Sequence, residues 1–281
     1  MTIVSPNEVV ESMIQVGEMK AKLPIRDLLI RGALGGALLG FGTTLAFTAE
    51  VQTGLGIVGA LFFPAAFVII ILLGLELVTG SFALIPVAVM AKKATVVQMI
   101  KNWFWVIIGH VLGAGIYAIL YIVAVTQLGQ VNNHAVATKI LAVAEAKTLG
   151  YKSLGAEGIL VVFVKAILCN WMVTLGVVMA MTTKSVFGKI AAMWLPILIF
   201  FAQGFEHAVV NMFVIPAGMI LGADVTITDW WVWNQIPVLI GNLVSGVLFT
   251  GMALYYTHKK TESKNILELP QTKAAIPSTQ R

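Results

Sequence analysis

The apolar positions of the chain fall into long runs, which is the pattern of membrane-spanning helices rather than of amphipathic helices in a soluble domain. About 20 apolar residues cross a bilayer as a helix. Runs of this length cover residues 28–48, 58–91, 103–128, 158–181, 190–221 and 236–257. The pattern therefore predicts an all-α polytopic membrane protein with six transmembrane helices.

The second and fifth runs are too long for one span, and each has a carboxylate in its middle. Polar residues interrupt them at residues 76–81 and near residues 206–209, so each run is predicted to be a helix that breaks and restarts. The Gly-x-Glu motif at residues 74–76 recurs at residues 204–206 with a shift of 130 residues. Broken helices at corresponding positions of two halves are a sequence sign of a transport site.

Further matches connect the first three runs to the last three. Arg31 and Gly42 match Lys165 and Gly176 with a shift of 134 residues. Asn102 and Gly109 match Asn234 and Gly241 with a shift of 132 residues. Because each half has an odd number of spans, the second half must be inverted in the membrane. The sequence therefore predicts an inverted 3+3 repeat.

Composition and charge agree with a membrane protein, since 59% of residues are hydrophobic and 11% are charged. The net charge of +5 would suggest a nucleic-acid partner in a soluble protein. Here, however, basic residues cluster at the flanks that share one side if both termini are cytoplasmic. We therefore predict a multi-pass protein of the cell (plasma or inner) membrane, surrounded by the lipid bilayer and without a nucleic-acid partner.

The ends of the chain are predicted to lie outside the membrane. Residues 1–24 form a cytoplasmic amphipathic helix that starts with a capping box, Ser5 to Glu8. This helix either packs on the bundle or acts as a gate. Residues 25–258 form the channel domain, and residues 259–281 form a cytoplasmic tail.

The two breaks are predicted to meet at a pore, because backbone that leaves a helix in hydrocarbon must line a cavity or lie in protein. The helices are expected to restart at residues 80–81 and 208–209. Free N–H groups and the positive dipole end of each restarting helix favour an anion there.

Polar side chains at the breaks supply the candidate chemistry. Thr79 offers a hydroxyl, and His207 can donate a hydrogen bond to a passing anion or lend a proton if the anion is that of a weak acid. Asn170, an amide midway along the fourth span, is a candidate partner; its alternative is a bond between helices.

Glu76 and Glu206 are carboxylates inside the membrane, where ionisable groups are functional candidates. Because the two recur at matched positions, we predict that they support the loops, each accepting hydrogen bonds from the opposite break. Ser81 is predicted to cap the restarted helix. No catalytic or metal-binding signature such as HExxH, CxxC or a phosphate loop occurs, so neither an enzyme, a cofactor nor a metal site is predicted.

The chain also resembles a known family. Residues 63–64, 74–80, 169–173 and 204–212 are similar to the signature stretches of the formate/nitrite transporter family. The resemblance implies an aquaporin-like protomer of six spans in a homopentamer, each protomer with its own pore.

The resemblance also implies roles for single residues. Thr79 and His207 match the central hydrogen-bonding pair, and Asn170 matches a conserved amide nearby. The remaining matches are Phe63 and Phe200 at the outer constriction and Phe67 and Val78 at the cytoplasmic one. The family's vestibule lysine falls on Leu154 here, so Lys152 and then Lys147 are its predicted substitutes.

The predicted function is therefore passive or proton-coupled passage of a small monovalent anion, formate or nitrite. Hydrosulfide or a short-chain carboxylate could use the same pore. A neutral-solute facilitator is the alternative without an anion site. An intramembrane enzyme using Glu206 and His207 would lack a nucleophile or a metal set.

Overall fold

A computed structural model of the chain describes residues 3–259, and this part is helical, without a strand. The predicted tail from residue 260 onward lies outside the described residues. The first half contains α1 (Pro6–Ala21), α2 (Ile25–Thr53), α3 (Gly56–Phe62), α4 (Pro64–Leu72), α5 (Val78–Met90) and α6 (Val96–Thr126). Between the halves lie α7 (Ala135–Ala146) and α8 (Leu149–Lys152).

The second half contains α9 (Ala156–Met179), α10 (Val186–Ala202), α11 (Ala208–Ile220) and a final long helix. That helix consists of α12 (Ile227–Trp230), α13 (Ile236–Val244) and α14 (Ala253–His258), joined by π-helical turns at Trp231–Gln235 and Ser245–Met252. In the described residues, the helices long and apolar enough to cross a membrane are α2, α6, α9 and this final helix.

The two predicted interruptions are present between shorter apolar helices. The first separates α4 from α5 and the second separates α10 from α11. Each interruption contains a left-handed glycine, Gly74 with φ of 63° or Gly204 with φ of 65°. Glycine adopts this conformation without the steric cost of a Cβ, so it ends each helix one turn before the carboxylate.

The predicted position of the first break was wrong by a few residues. Residues 76–81 were expected to be non-helical, but α5 already begins at Val78 and includes Thr79 and Ser81. The non-helical stretch covers residues 73–77 instead. The second break, predicted near residues 206–209, lies at residues 203–207, and α11 restarts at Ala208 as predicted.

The segment between the third and fourth predicted spans, for which no helix was predicted, contains two helices, α7 and α8. α7 packs against α11, as α1 packs against α5. The two lie near opposite ends of α2: α1 directly precedes it, and Lys139 of α7 contacts Glu50 near its last residue. We call these ends the α1 side and the α7 side. α1 is an integral part of the bundle, since Met13 is fully buried.

Candidate functional site

The first backbone N–H group of α5 is satisfied by a histidine from α6. Val78 N–H donates to His110 Nε2 at 3.0 Å. Nε2 therefore has no proton, and Nδ1 donates to the Gly32 carbonyl at 2.7 Å. His110 thus links α5 to two other helices and belongs to the scaffold of the first break.

An asparagine does the same for α11. Ala208 N–H donates to Asn242 Oδ1 at 3.0 Å, and Asn242 Nδ2 donates to the carbonyls of Ala166 and Glu206 at 2.8 and 3.0 Å. The sequence alignment of the halves pairs His110 with Asn242 and Gly32 with Ala166. Matched positions therefore make matched contacts at the two restarting helices.

His207 directly precedes α11 and caps it. Its Nδ1 accepts from the backbone N–H groups of Val209 and Val210 at 3.2 and 3.3 Å. In a neutral imidazole only one nitrogen carries a proton, so the proton lies on Nε2. Nε2 lies 3.2 Å from Thr79 Oγ1. The two predicted pore residues, both buried, therefore meet between the restarting helices.

Asn170 binds the backbone beside this pair. Its Nδ2 donates to the Thr79 carbonyl at 3.2 Å and to the Asn242 carbonyl at 2.6 Å. Its Oδ1 is buried and has no hydrogen-bond partner among the described residues. The amide therefore fixes the first turn of α5 to α9 and α13, instead of pairing with His207 as the sequence reading considered.

Aromatic rings cover the pair on one flank. The Phe200 ring stacks on His207 with centroids 5.6 Å apart and meets Phe63 edge-on at 5.7 Å. Phe67 and Val78, predicted for the other constriction, are buried. The Thr79–His207 pair therefore lies in an apolar setting, where a polar group needs a partner.

Glu76 is held by polar groups of its own half. Lys20 Nζ lies 2.7 Å from its carboxylate, Asn102 Nδ2 donates at 3.4 Å, and Ser81 Oγ donates at 3.5 Å. Asn102 also donates to the Lys20 carbonyl at 3.0 Å. The carboxylate therefore connects the first break to α1, α5 and α6.

Glu206 repeats this arrangement in the second half. Its carboxylate is 2.7 Å from Lys147 Nζ and accepts from Tyr151, Asn211 and Asn234 at 2.7, 2.8 and 3.3 Å. The prediction that each carboxylate binds the opposite break was wrong. The donors to Glu76 come from the first half, and those to Glu206 come from the second half and from the segment of α7 and α8.

The predicted vestibule lysines are both paired. Lys147 lies against Glu206, and Lys152 Nζ lies 2.8 Å from Asp229. The Lys147 side chain is 17% exposed and that of Lys152 is 50% exposed. Of the two, only Lys152 extends well into solvent, and neither provides a charge without a counter-ion.

Sequence reasoning missed Lys20 as the partner of Glu76. The signal was available, because Lys20 and Lys147 are 127 residues apart, close to the shifts of the other matches. It was overlooked because the N-terminal helix was treated as lying outside the repeat. Asn102 and Asn234 were recognised as a match, but their role as donors to the carboxylates was not.

A cavity of about 650 Å³ opens on the α1 side between α1 and the first break. Lys20, Arg31, Gly74 and Glu76 are among its lining residues. Within residues 3–259 no cluster of three His, Cys, Asp or Glu side chains could hold a metal ion. The site therefore offers hydrogen bonds, dipoles and lysine charge as its chemistry.

Residues 7–256 match the profile of a family described as "Formate/nitrite transporter". The chain belongs to the formate/nitrite transporter family. A relative from Bacillus thuringiensis, "Formate channel BtFdhC", is 33% identical over 92% of this chain and 97% of its own length.

Solved structures of this family share the fold. An "FNT family ion channel" matches 89% of the chain and 97% of its own length, with a TM-score of 0.72 and 27% identity. A structure named "Pentameric formate channel with formate bound" matches 83% of the chain and 96% of its own length, with a TM-score of 0.67 and 22% identity. The all-helical architecture is thus that of a formate/nitrite transporter.

Proposed function

We propose that the protein is a membrane channel for small monovalent anions, with formate the first candidate substrate and nitrite the second. The contact between Thr79 Oγ1 and His207 Nε2 carries this proposal. It joins the first turn of one restarting helix to the cap of the other, inside an otherwise apolar setting. The relative from Bacillus thuringiensis, whose name is that of a formate channel, supports the choice of substrate.

The pair is suited to an anion because of the way its protons are arranged. His207 Nε2–H donates to the Thr79 oxygen, so the threonine hydroxyl proton is free to point toward a passing anion. A bare charge inside a membrane is costly by several kcal/mol. Charge-assisted hydrogen bonds and the positive dipole ends of α5 and α11 offset part of this cost.

The geometry favours a neutral His207 as a hydrogen-bond donor over a proton carrier. To lend a proton, the ring would first carry protons on both nitrogens. It would then pass the Nε2 proton to formate, yielding formic acid and an imidazole protonated on Nδ1. That state is incompatible with the bonds that Nδ1 accepts from Val209 and Val210. Proton coupling through His207 therefore requires the cap of α11 to open.

Two apolar constrictions are proposed to strip water from the anion. Phe63 and Phe200 form the one on the α7 side, and Phe67 and Val78 form the one on the α1 side. All four side chains are buried, as this role requires. Lys152, half exposed beside Asp229, stays a proposed contributor to the vestibule charge.

The membrane arrangement is part of the proposal. We propose six spans in an inverted 3+3 repeat, with residues 1–24, the tail and the α1 side in the cytoplasm of a plasma or inner membrane. The matched contacts of His110 and Asn242 support the repeat, and the basic flanks support the orientation. A homopentamer is proposed from the shared fold with the pentameric channel.

Flux measurements on purified protein in liposomes test the function. Formate, nitrite, hydrosulfide, a short carboxylate and chloride are compared across a pH series, with a neutral solute of similar size as the reference. We expect formate and nitrite to cross fastest and to compete with each other. If the neutral solute crosses rapidly, and its flux does not change with pH or with added formate, the protein is a neutral-solute facilitator instead.

A further inference from the structure

Three lysines on the α1 side are close together in sequence and have no carboxylate partner. Lys92 and Lys93 belong to the turn between α5 and α6, and Lys101 belongs to the second turn of α6. All three are exposed, and within residues 3–259 none of them forms an ion pair. The basic residues at positions 20–31 differ, because each is paired with a carboxylate: Lys20, Lys22, Arg26 and Arg31.

The carboxylate of Glu18 does not neutralise this group. A hydrogen bond from Lys22, and to a smaller extent the charge of Lys93, lowers the pKa of the Glu18 carboxyl. Glu18 is already paired with Lys22, so one shared carboxylate stands against four lysines. The turn between α5 and α6 therefore carries a net positive charge that the described part of the chain does not balance.

An apolar stripe on α6 begins beside these lysines. Val97, Ile100 and Phe104 are exposed, and their spacing of three and four residues places them on one face of the helix. Lys101 lies one turn from both Val97 and Phe104, so it is part of the same face. We call the six residues the lysine patch: Lys92, Lys93, Val97, Ile100, Lys101 and Phe104.

The length of α6 indicates the depth at which the lysine patch lies. Its 31 residues span roughly 46 Å at about 1.5 Å per residue, which exceeds a hydrocarbon core of about 30 Å. Trp103 and Trp105 lie in the third turn, and tryptophan is enriched at membrane–water interfaces. Lys101 is therefore at the level where headgroups meet acyl chains, and Lys92 and Lys93 are further out.

The direction of the side chains brings the charges together. A long side chain on a helix points back toward the N-terminus of that helix. Lys101 therefore extends toward the turn that carries Lys92 and Lys93, and away from the hydrocarbon, as lysines near the ends of membrane helices do. Three ammonium groups at headgroup level lie above an apolar face at acyl-chain level.

This combination matches the chemistry of an anionic phospholipid. The phosphate group supplies the negative charge that the turn lacks, and an acyl chain covers the stripe of Val97, Ile100 and Phe104. A zwitterionic lipid brings its own cation, which competes with the lysines. A free phosphate ion would leave the apolar stripe uncovered.

We propose that the lysine patch binds the headgroup of an anionic phospholipid in the α1-side leaflet, with an acyl chain against α6. The proposal goes beyond the proposed function and does not depend on it. None of the six residues lines the cavity on the α1 side. The lipid would instead join the end of α5, the helix that starts at the first break, to the beginning of α6.

Retention of lipid by the full chain tests the proposal. The protein is purified in detergent micelles that contain equal amounts of phosphatidylglycerol and phosphatidylcholine, and native mass spectrometry counts the lipids that remain bound. We expect the unmodified protein to retain phosphatidylglycerol about tenfold or more over phosphatidylcholine. In K92Q/K93Q/K101Q this preference should fall to within about twofold, because each lysine near an anionic headgroup contributes about fivefold.

The control variant is K184Q/K189Q. Lys184 and Lys189 are also on the α1 side, but they line the cavity there and are not part of the lysine patch. This variant should keep the preference for phosphatidylglycerol. An equal loss in both variants would show that only general surface charge attracts the lipid, and the proposal would be wrong.

Two further arms identify the occupant. If the triple variant assembles poorly, K101Q alone should lower the preference about fivefold. Inorganic phosphate at the same concentration as the lipid should not displace phosphatidylglycerol, and displacement would mean that the patch binds free phosphate. A change in the number of protomers per assembly in K101Q would identify the patch as an interface between copies of the chain. Either of these last two results would overturn the proposal.

Discussion

Thr79 Oγ1 lies 3.2 Å from His207 Nε2, so the two interrupted helices share a direct side-chain hydrogen bond. Neither half of the chain can form this contact alone, because Thr79 belongs to α5 and His207 caps α11. The proposed pore centre is therefore formed by both halves, and each partner can be tested separately.

Replacing Thr79 by Val removes the hydroxyl and keeps the side-chain shape. We expect formate flux to fall about tenfold or more, because a hydrogen bond to a charged group contributes about 1.5–3 kcal/mol. T79S keeps the hydroxyl and should retain most of the flux. Flux through T79V equal to that of the unmodified protein would show that the hydroxyl does not contact the anion.

Replacing His207 separates its two roles. H207N places an oxygen where it can accept from the first turn of α11, but it removes the Nε2–H that faces Thr79. We expect normal assembly with formate flux reduced about tenfold or more. H207F loses both roles, and the lost cap should cost about 1 kcal/mol of stability.

The measurement for these histidine variants combines flux with thermal stability of the purified protein. The control is H134Q, because His134 is the N-cap residue of α7 and lies outside the proposed pore. This variant should leave the flux unchanged. If H207N conducts normally, His207 acts only as a helix cap.

Breaking the Lys147–Glu206 pair should destabilise the bundle. K147M leaves a carboxylate that is 2% exposed without its cation, and breaking a buried ion pair costs about 3–5 kcal/mol. The double variant K147M/E206Q removes the stranded charge and should recover part of the loss. Thermal unfolding of the three proteins measures this, and K147M as stable as the unmodified chain would contradict it.

Close packing of α2 against α6 makes a glycine pair informative. A Cβ at Gly113 would lie 1.8 Å from the Ala33 carbonyl oxygen, whereas at Gly115 nothing lies within 4 Å. G113A must therefore push the two helices apart, costing about 1–3 kcal/mol or more. G115A in the same helix should be neutral or stabilising by up to about 1 kcal/mol. Equal melting temperatures for the two variants would show that this contact is not tight.

Local sequence was sufficient for several features of the fold. The apolar runs predicted α2, α6, α9 and the final helix, because the length needed to cross a bilayer is a property of one segment. Polar residues inside two runs predicted the interruptions. The first was placed a few residues too late because Gly74, which adopts a left-handed conformation, was not used as the sign of a helix end. The family resemblance predicted that Thr79 and His207 form a hydrogen-bonding pair, and the two side chains are in contact.

Pairing across the chain could not be deduced in the same way. Lys20 and Glu76 are far apart in sequence, and the match of Lys20 with Lys147 indicates matched roles for the two lysines without identifying the carboxylates as their partners. The helical character of residues 135–146 was also missed, since α7 is stabilised by packing on α11 rather than by a long apolar run.

The sequence by itself determined a membrane protein with two interrupted helices in corresponding halves, because span length and broken apolar runs are local. Only the tertiary structure decided that His207 Nδ1 caps α11, which leaves the Nε2 proton to face Thr79. It also decided that Lys20 and Lys147 pair with the carboxylates of Glu76 and Glu206. These outcomes depend on distances between side chains that folding brings together, and no single segment encodes them.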